Sequence, residues 1–140
     1  MRLFIDCEFD GGGGDLISLA LVAEDGREFY EVLPCHGPTP WVAKNVMPIL
    51  GKEPISLLDL QSRLHVFLAQ FDAVEIVADH PADIHYFCEA LILDTMGTWI
   101  PTPPLTLRIE PHVNYESAIP HNALEDARAI KATLAPKEPS

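Results

Sequence analysis

Two carboxylates spaced to share one face of a β-strand are the feature of this sequence with the clearest chemical potential. Asp6 and Glu8 lie in the run Leu3–Phe9, whose large apolar residues and lack of a breaker predict a strand. Side chains alternate along a strand, so both acids are expected on one face, with Cys7 on the other as a small core residue. Buried acids repel each other unless a cation lies between them, and oxygen-only ligands suit Mg²⁺ or Mn²⁺. The plain alternative is a strand end with two solvated acids.

A further acid follows a second predicted strand. Asp83 comes after the apolar run Val74–Ala78, at the start of a helix whose first turn can hold Pro81. It could be a metal ligand, or it could only complement the positive end of that helix. Asp79 is a nearby rival for the same role, and it could instead cap the helix.

The last predicted helix brings a histidine and a fourth acid. It begins near Asn122, and Asp126 lies in its first turns at the edge of the apolar stripe, facing inward. A surface acid is the alternative for this position. His121 precedes the helix by one residue, where its ring can move, and it could equally be a loop histidine with no task. Because histidine titrates near neutral pH, it suits the role of a general base.

These residues are carried by a predicted α/β fold. Three strands in an antiparallel meander, with a tight turn at Gly26, precede helices that alternate with two more strands, which predicts a mixed sheet with helices packed on it. The predicted strands are Leu3–Phe9, Asp15–Val22, Arg27–Leu33, Val74–Ala78 and Leu105–Ile109. The first predicted helix is a short one over Trp41–Leu50, ended near Pro48. Three more follow: one capped by Ser56, one starting at Pro81, and one starting near Asn122 with Glu125 completing a capping box.

Composition narrows the class of protein. The chain has 140 residues and 48% hydrophobic residues, which predicts a single domain over residues 1–135 with a frayed tail at 136–140. No apolar run can span a bilayer and no leader is evident, so we expect a cytoplasmic protein with no membrane partner. Its three cysteines favour neither a disulfide framework nor a zinc site. The net charge of −12 argues against a broad basic surface for duplexes, but it allows a site that holds one strand end through metal.

Taken together, the acidic motifs resemble a known family. Asp6-x-Glu8, an Asp at a strand-to-helix junction and His121-x-x-x-x-Asp126 are similar to the DEDD exonucleases, in the DEDDh branch that has a histidine in its third motif. A closer resemblance is to the bacterial ribonuclease AS type of 3′-exoribonuclease. It rests on the run 121–128 and on three further runs, 4–9, 23–30 and 41–48, and is loose over 94–118.

The resemblance implies a ribonuclease H-like fold with helices on both faces of the sheet, and a 3′-5′ exonuclease. Such an enzyme releases nucleoside 5′-monophosphates from single-stranded 3′ ends, with RNA favoured over DNA. The resemblance also implies a homodimer. Two Mg²⁺ or Mn²⁺ ions would be held by Asp6, Glu8, Asp83 and Asp126, with His121 as the general base. An aromatic platform is expected under the last base, for which Phe9 and Trp41 are candidates, although either could simply be core, Phe9 more than Trp41.

The sequence departs from the family in its second motif. Many members carry His-Asn-x-x-Phe-Asp, whereas this chain has the shorter run Asp79-His80-Pro81-Ala82-Asp83. Asp83 is assigned to the site because an apolar helical stripe follows it directly, and because the resemblance to the ribonuclease AS type implies an Asp at this position. Two other hypotheses stay open: a catalytically inactive nuclease-like binding domain, and a metal-dependent phosphatase acting on small nucleotides.

Overall fold

Within residues 1–134, five strands form one mixed sheet. The computed structural model describes residues 1–134, so the predicted tail at 136–140 lies outside the described residues. The strands are β1 (Arg2–Phe9), β2 (Leu16–Ala23), β3 (Glu28–Val32), β4 (Val74–Ala78) and β5 (Leu105–Ile109). Each lies within two residues of its predicted bounds, because apolar runs ended by glycine, proline or charged turns define strands well.

The strand order is β3-β2-β1-β4-β5. β1, β2 and β3 pair antiparallel, as the predicted meander requires, and the turn between β2 and β3 uses Gly26 at φ +97°. β4 runs parallel to β1 on one side and to β5 on the other. The predicted α/β class with a mixed, ribonuclease H-like sheet is therefore confirmed.

Helices cover both faces of the sheet. They are α1 (Pro40–Asn45), α2 (Leu57–Leu68), α3 (Pro81–Leu91) and α4 (Ala123–Leu134). α2 and α3 pack on one face, where Leu64 and Phe87 meet Leu3 and Ile5 of β1. α4 covers the other face, where Ile130 packs on Phe4 and Val77. Leu3, Ile5 and Cys7 point into the first core, so Asp6 and Glu8, which alternate with them along β1, face α4.

Local signals explain where these helices begin. The hydroxyl of Ser56 accepts the Asp59 N–H at 3.1 Å, which is the predicted cap of α2. Asn122 Oδ1 accepts the Glu125 N–H at 3.0 Å and caps α4. The predicted reciprocal half of that capping box is wrong: the Asn122 N–H donates to the Ile119 carbonyl, and the Glu125 carboxylate pairs with Arg128.

The predicted helix over Trp41–Leu50 is shorter in the structure. α1 ends at Asn45, and a 3-10 turn over Met47–Ile49 follows. Pro48 explains the break, because its ring removes a backbone donor and clashes with the preceding turn of a continuous α-helix. Among residues 1–134, no helix combines the length and the apolar character needed to cross a lipid bilayer.

Candidate active site

The predicted site residues converge on one open cleft of about 480 Å³. It lies at the carboxyl ends of β1 and β4, beside the first turn of α3 and the start of α4. Its lining includes every side chain that the sequence singled out for chemistry, which are Asp6, Glu8, Phe9, Trp41, Asp83, His121 and Asp126, together with Asp79, His80 and Tyr115.

Strand pairing explains why these distant segments meet. Phe4 of β1 pairs with Val77 of the parallel strand β4, so β4 ends beside Asp6 and the chain turns into α3 at the cleft. α4 packs across the opposite side of β1, which brings its first turns and Asp126 to the same edge. The carboxyl ends of parallel strands are where such sheets usually build their sites.

The carboxylates form two groups that share one member. Asp6, Glu8 and Asp126 can each offer an oxygen within 4.8 Å of the others, and so can Asp6, Asp79 and Asp83. Two like charges roughly 5 Å apart repel by about 3 kcal/mol at an effective dielectric constant of about 20. Five acids in this arrangement therefore oppose folding unless protons or cations neutralise them.

Burial makes the repulsion more costly. Asp6 is 8% exposed and Asp126 6% exposed, and each has one buried carboxylate oxygen without a hydrogen-bond partner. Burial, reinforced by the negative charges of Asp83 and Glu8, raises the pKa of Asp6 well above its usual range. Burial also raises the pKa of Asp126, with the neighbouring His121 acting in the opposite direction.

The other acids respond in the same way. Burial, with the charge of Asp126 adding to it, raises the pKa of Glu8 to about 8. Burial and repulsion from Asp79 raise the pKa of Asp83 to about 7, although the Cys7 N–H lowers it somewhat. None of the ion pairs among residues 1–134 involves any of these five acids. Five carboxylates that take part in none of the ion pairs of the described residues form an oxygen donor set, which fits a hard divalent cation such as Mg²⁺ or Mn²⁺.

His121 lies at the mouth of this carboxylate set, directly before the α4 cap. Its backbone φ is +71°, a left-handed conformation that few non-glycine residues adopt. Its ring meets the Trp41 ring edge-on, with centroids 5.0 Å apart. Trp41 remains 53% exposed, so much of its indole is free to meet a ligand.

Phe9 has a different environment from Trp41. Its ring stacks on Tyr86 with centroids 4.7 Å apart, and it packs against the core that α2 and α3 cover. It still lines the cleft, but one of its faces is already occupied. Of the two predicted platform residues, Trp41 therefore has the more accessible ring.

The glycine-rich turn after β1 forms one wall of the cleft. Gly11 and Gly12 line it, and Asp10 Oδ1 accepts the Thr39 N–H at 2.9 Å, which ties the turn to the start of α1. A Cβ at Gly14 would lie 1.8 Å from the Asp10 carbonyl oxygen, so only glycine closes this turn. The glycine-rich turn is therefore held in place as part of the cleft wall.

Sequence reasoning missed Tyr115. Its ring packs beside Phe4, Val77 and Ile130, and it lines both the cleft and an adjoining cavity of about 440 Å³. Burial, with the charges of Asp6 and Asp126, raises its pKa far above the usual value for tyrosine. A lone aromatic residue in a proline-rich segment carries no periodic signal, so the sequence offered no means of finding it.

The sequence left two roles open for Asp79, as a rival of Asp83 at the site or as a helix cap. The cap of α3 is His80, whose Nδ1 accepts the Ala82 N–H at 3.0 Å, so the suggestion that Asp79 caps this helix is wrong. Asp79 instead faces the cleft beside Asp6 and Asp83. Its position directly after a parallel strand was the signal that could have placed it there.

Comparison with known proteins adds an independent observation. No protein-family model matches the chain. It is similar to a 3′-5′ exoribonuclease. Two such proteins, from two strains of Mycobacterium tuberculosis, are each 36% identical to it over 89 residues, which cover 56% of this chain and 53% of the relative. The chain therefore spans about half the length of these curated relatives. The likeness supports a relationship to 3′-5′ exonucleases.

Proposed function

We propose that this protein is a metal-dependent 3′-5′ exoribonuclease of the DEDDh type, similar to the ribonuclease AS group. The observation that carries the proposal is the convergence of two carboxylate groups, joined by Asp6, on one cleft with His121 and Trp41. The likeness to two proteins named 3′-5′ exoribonuclease supports the same conclusion.

The carboxylates would hold two divalent ions, Mg²⁺ or Mn²⁺. Asp6 fits the role of shared ligand because it alone belongs to both groups. Glu8 and Asp126 would complete the first ion's ligands, and Asp83 would serve the second. When bound, the ions supply positive charge for the scissile phosphate and for the departing 3′-oxygen, and they favour ionisation of the attacking water. This local charge offsets the overall charge of −12.

His121 would take the proton from the attacking water. The imidazole lies at the cleft beside Asp126, outside the α4 cap, and is not buried in the core. A neutral imidazole nitrogen accepts a proton efficiently near pH 7.

Trp41 would form the platform for the last base of a single-stranded 3′ end. A base stacked on an aromatic ring gains about 1–3 kcal/mol, and a paired base cannot reach such a ring. Phe9 would contribute the edge that Tyr86 leaves uncovered.

We also propose, from the resemblance alone, that the protein acts in the cytoplasm as a homodimer. Light scattering on the purified chain tests the dimer.

The deciding experiment uses an oligoribonucleotide labelled at its 5′ end, with Mn²⁺ or Mg²⁺ and the full chain. A ladder shortened stepwise from the 3′ end, with nucleoside 5′-monophosphates released, is the expected result. An oligodeoxyribonucleotide of the same sequence measures the preference for RNA. Intact oligomer with hydrolysis of mononucleotides would establish the phosphatase instead. A protein that binds the oligonucleotides but hydrolyses neither them nor mononucleotides would be the inactive nuclease-like domain.

A further inference from the structure

Asp79 is the one acid of the cleft to which the mechanism above assigns no role. It is the first residue after β4, it is half-buried, and it can bring a carboxylate oxygen within 4.8 Å of ligand atoms of Asp6 and Asp83. Because β4 runs parallel to β1, the chain direction itself delivers Asp79 to the end of the sheet where Asp6 lies.

Asp79 has no evident structural task. The cap of α3 is supplied by His80, and none of the ion pairs among residues 1–134 includes Asp79. Asp83 differs in this respect, because its Oδ1 accepts the Cys7 N–H at 3.0 Å and its side chain is held against β1. The carboxyl of Asp79 also lies within hydrogen-bond reach of the Asp83 carboxyl. A carboxylate kept beside two others, and outside the cap of α3 and the ion pairs of residues 1–134, points to a cation that they share.

An independent observation marks the same place. Asp6 is more than nine-tenths buried, and its Oδ2 has no hydrogen-bond partner among the described residues. An oxygen that is both charged and shielded from water needs a compensating positive charge. Asp6 lies in the group with Asp79 and Asp83 as well as in the group with Glu8 and Asp126.

We propose that Asp79 is a direct ligand of the second divalent ion, so that the cleft uses five carboxylates: Asp6 shared, Glu8 and Asp126 for one ion, and Asp79 and Asp83 for the other. The inference rests on the proposed two-ion function and deepens it. With Asp79 in place, the second ion has three carboxylates and does not depend on substrate phosphate for its binding. The protein without nucleic acid therefore binds two ions.

Titration of the full chain with Mn²⁺ tests this without any measurement of activity. Calorimetry and the electron paramagnetic resonance of free Mn²⁺ give the number of ions and their affinities in the absence of nucleic acid. The unsubstituted protein is expected to bind two. Asp79→Asn is expected to weaken the second site about tenfold or more and to leave the first unchanged. Asp72→Asn, at an exposed position outside the cleft, is the matched control and should bind like the unsubstituted protein.

The outcomes separate this inference from the proposed function. Two unchanged Mn²⁺ sites in Asp79→Asn would overturn the role of Asp79 alone, and so would a single site in the unsubstituted protein. No Mn²⁺ binding by the unsubstituted protein would overturn both proposals. In EDTA, Asp79→Asn should melt at the same temperature or higher, because a like charge is removed. A lower melting temperature there would reveal a structural role and overturn the assignment.

Discussion

The backbone N–H of Cys7 donates a 3.0 Å hydrogen bond to Oδ1 of Asp83, which joins the strand carrying Asp6 and Glu8 to the first turn of α3. Asp83 is 3% exposed, so this bond is shielded from water. The proposed metal ligand is therefore also a link between two elements of the fold, and the two roles can be separated by substitution.

We expect Asp83→Asn and Asp83→Ala to differ in stability but not in activity. Both remove the charge, so both should lose metal-dependent cleavage. The asparagine can still accept the Cys7 N–H, whereas alanine leaves that buried donor unsatisfied at a cost of about 1–3 kcal/mol. Urea unfolding in EDTA measures the difference. Equal stabilities would show that the Cys7 bond contributes nothing, and cleavage by the asparagine variant would remove Asp83 from the mechanism.

The metal-free protein should lose stability as the pH rises from about 4 to about 8. The pKa of Glu8 is raised from 4.5 to about 8 and that of Asp83 from 3.8 to about 7. Across this window the unfolded chain has released these protons while the folded chain retains them. The unfolded state then binds fewer protons, so the free energy of unfolding falls with pH.

Thermal unfolding in EDTA across this pH range, repeated with excess Mg²⁺ or Mn²⁺, measures the effect. The metal should remove most of the fall, because it binds the ionised form of the folded protein. Glu8→Gln should flatten the EDTA curve, whereas Asp72→Asn should not. A stability that rises with pH in EDTA would contradict the raised pKa values.

His121→Asn should abolish most turnover and leave metal binding intact. Asparagine tolerates the left-handed backbone at φ +71°, so the variant removes the imidazole without adding strain. Loss of a general base lowers turnover by about 10²–10⁴-fold. Single-turnover cleavage and the shift of melting temperature with Mn²⁺ measure the two properties. His112→Asn, at an exposed position outside the cleft, is the control. Unchanged turnover would exclude His121 as the base.

Trp41→Ala should raise KM for oligoribonucleotides with a small effect on stability. Loss of one base-stacking contact of about 1–3 kcal/mol corresponds to a change in KM of about five- to 150-fold. Trp41→Phe should recover part of it. Trp99 is 56% exposed, like Trp41 at 53%, but it does not line the cleft, so Trp99→Ala is a matched control. Equal KM values for the two alanine variants would remove Trp41 from the substrate platform.

The strands could be predicted from the sequence, because alternation and apolar runs report on strands directly. Helices on both faces of the sheet were expected only from the family resemblance. The same alternation placed Asp6 and Glu8 together on the face opposite Cys7. Pairing partners are set by tertiary contacts, so the sequence could mark Asp79 as the residue after a strand but could not show that β4 pairs with β1 and brings Asp79 beside Asp6. The sequence also could not reveal the hydrogen bond from Cys7 to Asp83, since every non-proline residue has the same backbone donor. Nor could it reveal the position of Tyr115, whose neighbours come from β1, β4 and α4.

The side chain of Asn122 uses both ends of its amide. Its oxygen caps α4, and its Nδ2 donates to the Ile49 carbonyl at 2.9 Å, which fastens the helix bearing Asp126 to the segment that follows Trp41. Deamidation to aspartate would preserve the cap. It would also replace the Nδ2 donor by a carboxylate oxygen, which cannot donate and which repels the Ile49 carbonyl oxygen. Slow chemical ageing at this one amide would therefore loosen the two walls of the cleft from each other without unfolding the helix. Mass spectrometry of stored protein, read beside its residual cleavage rate, would follow that process.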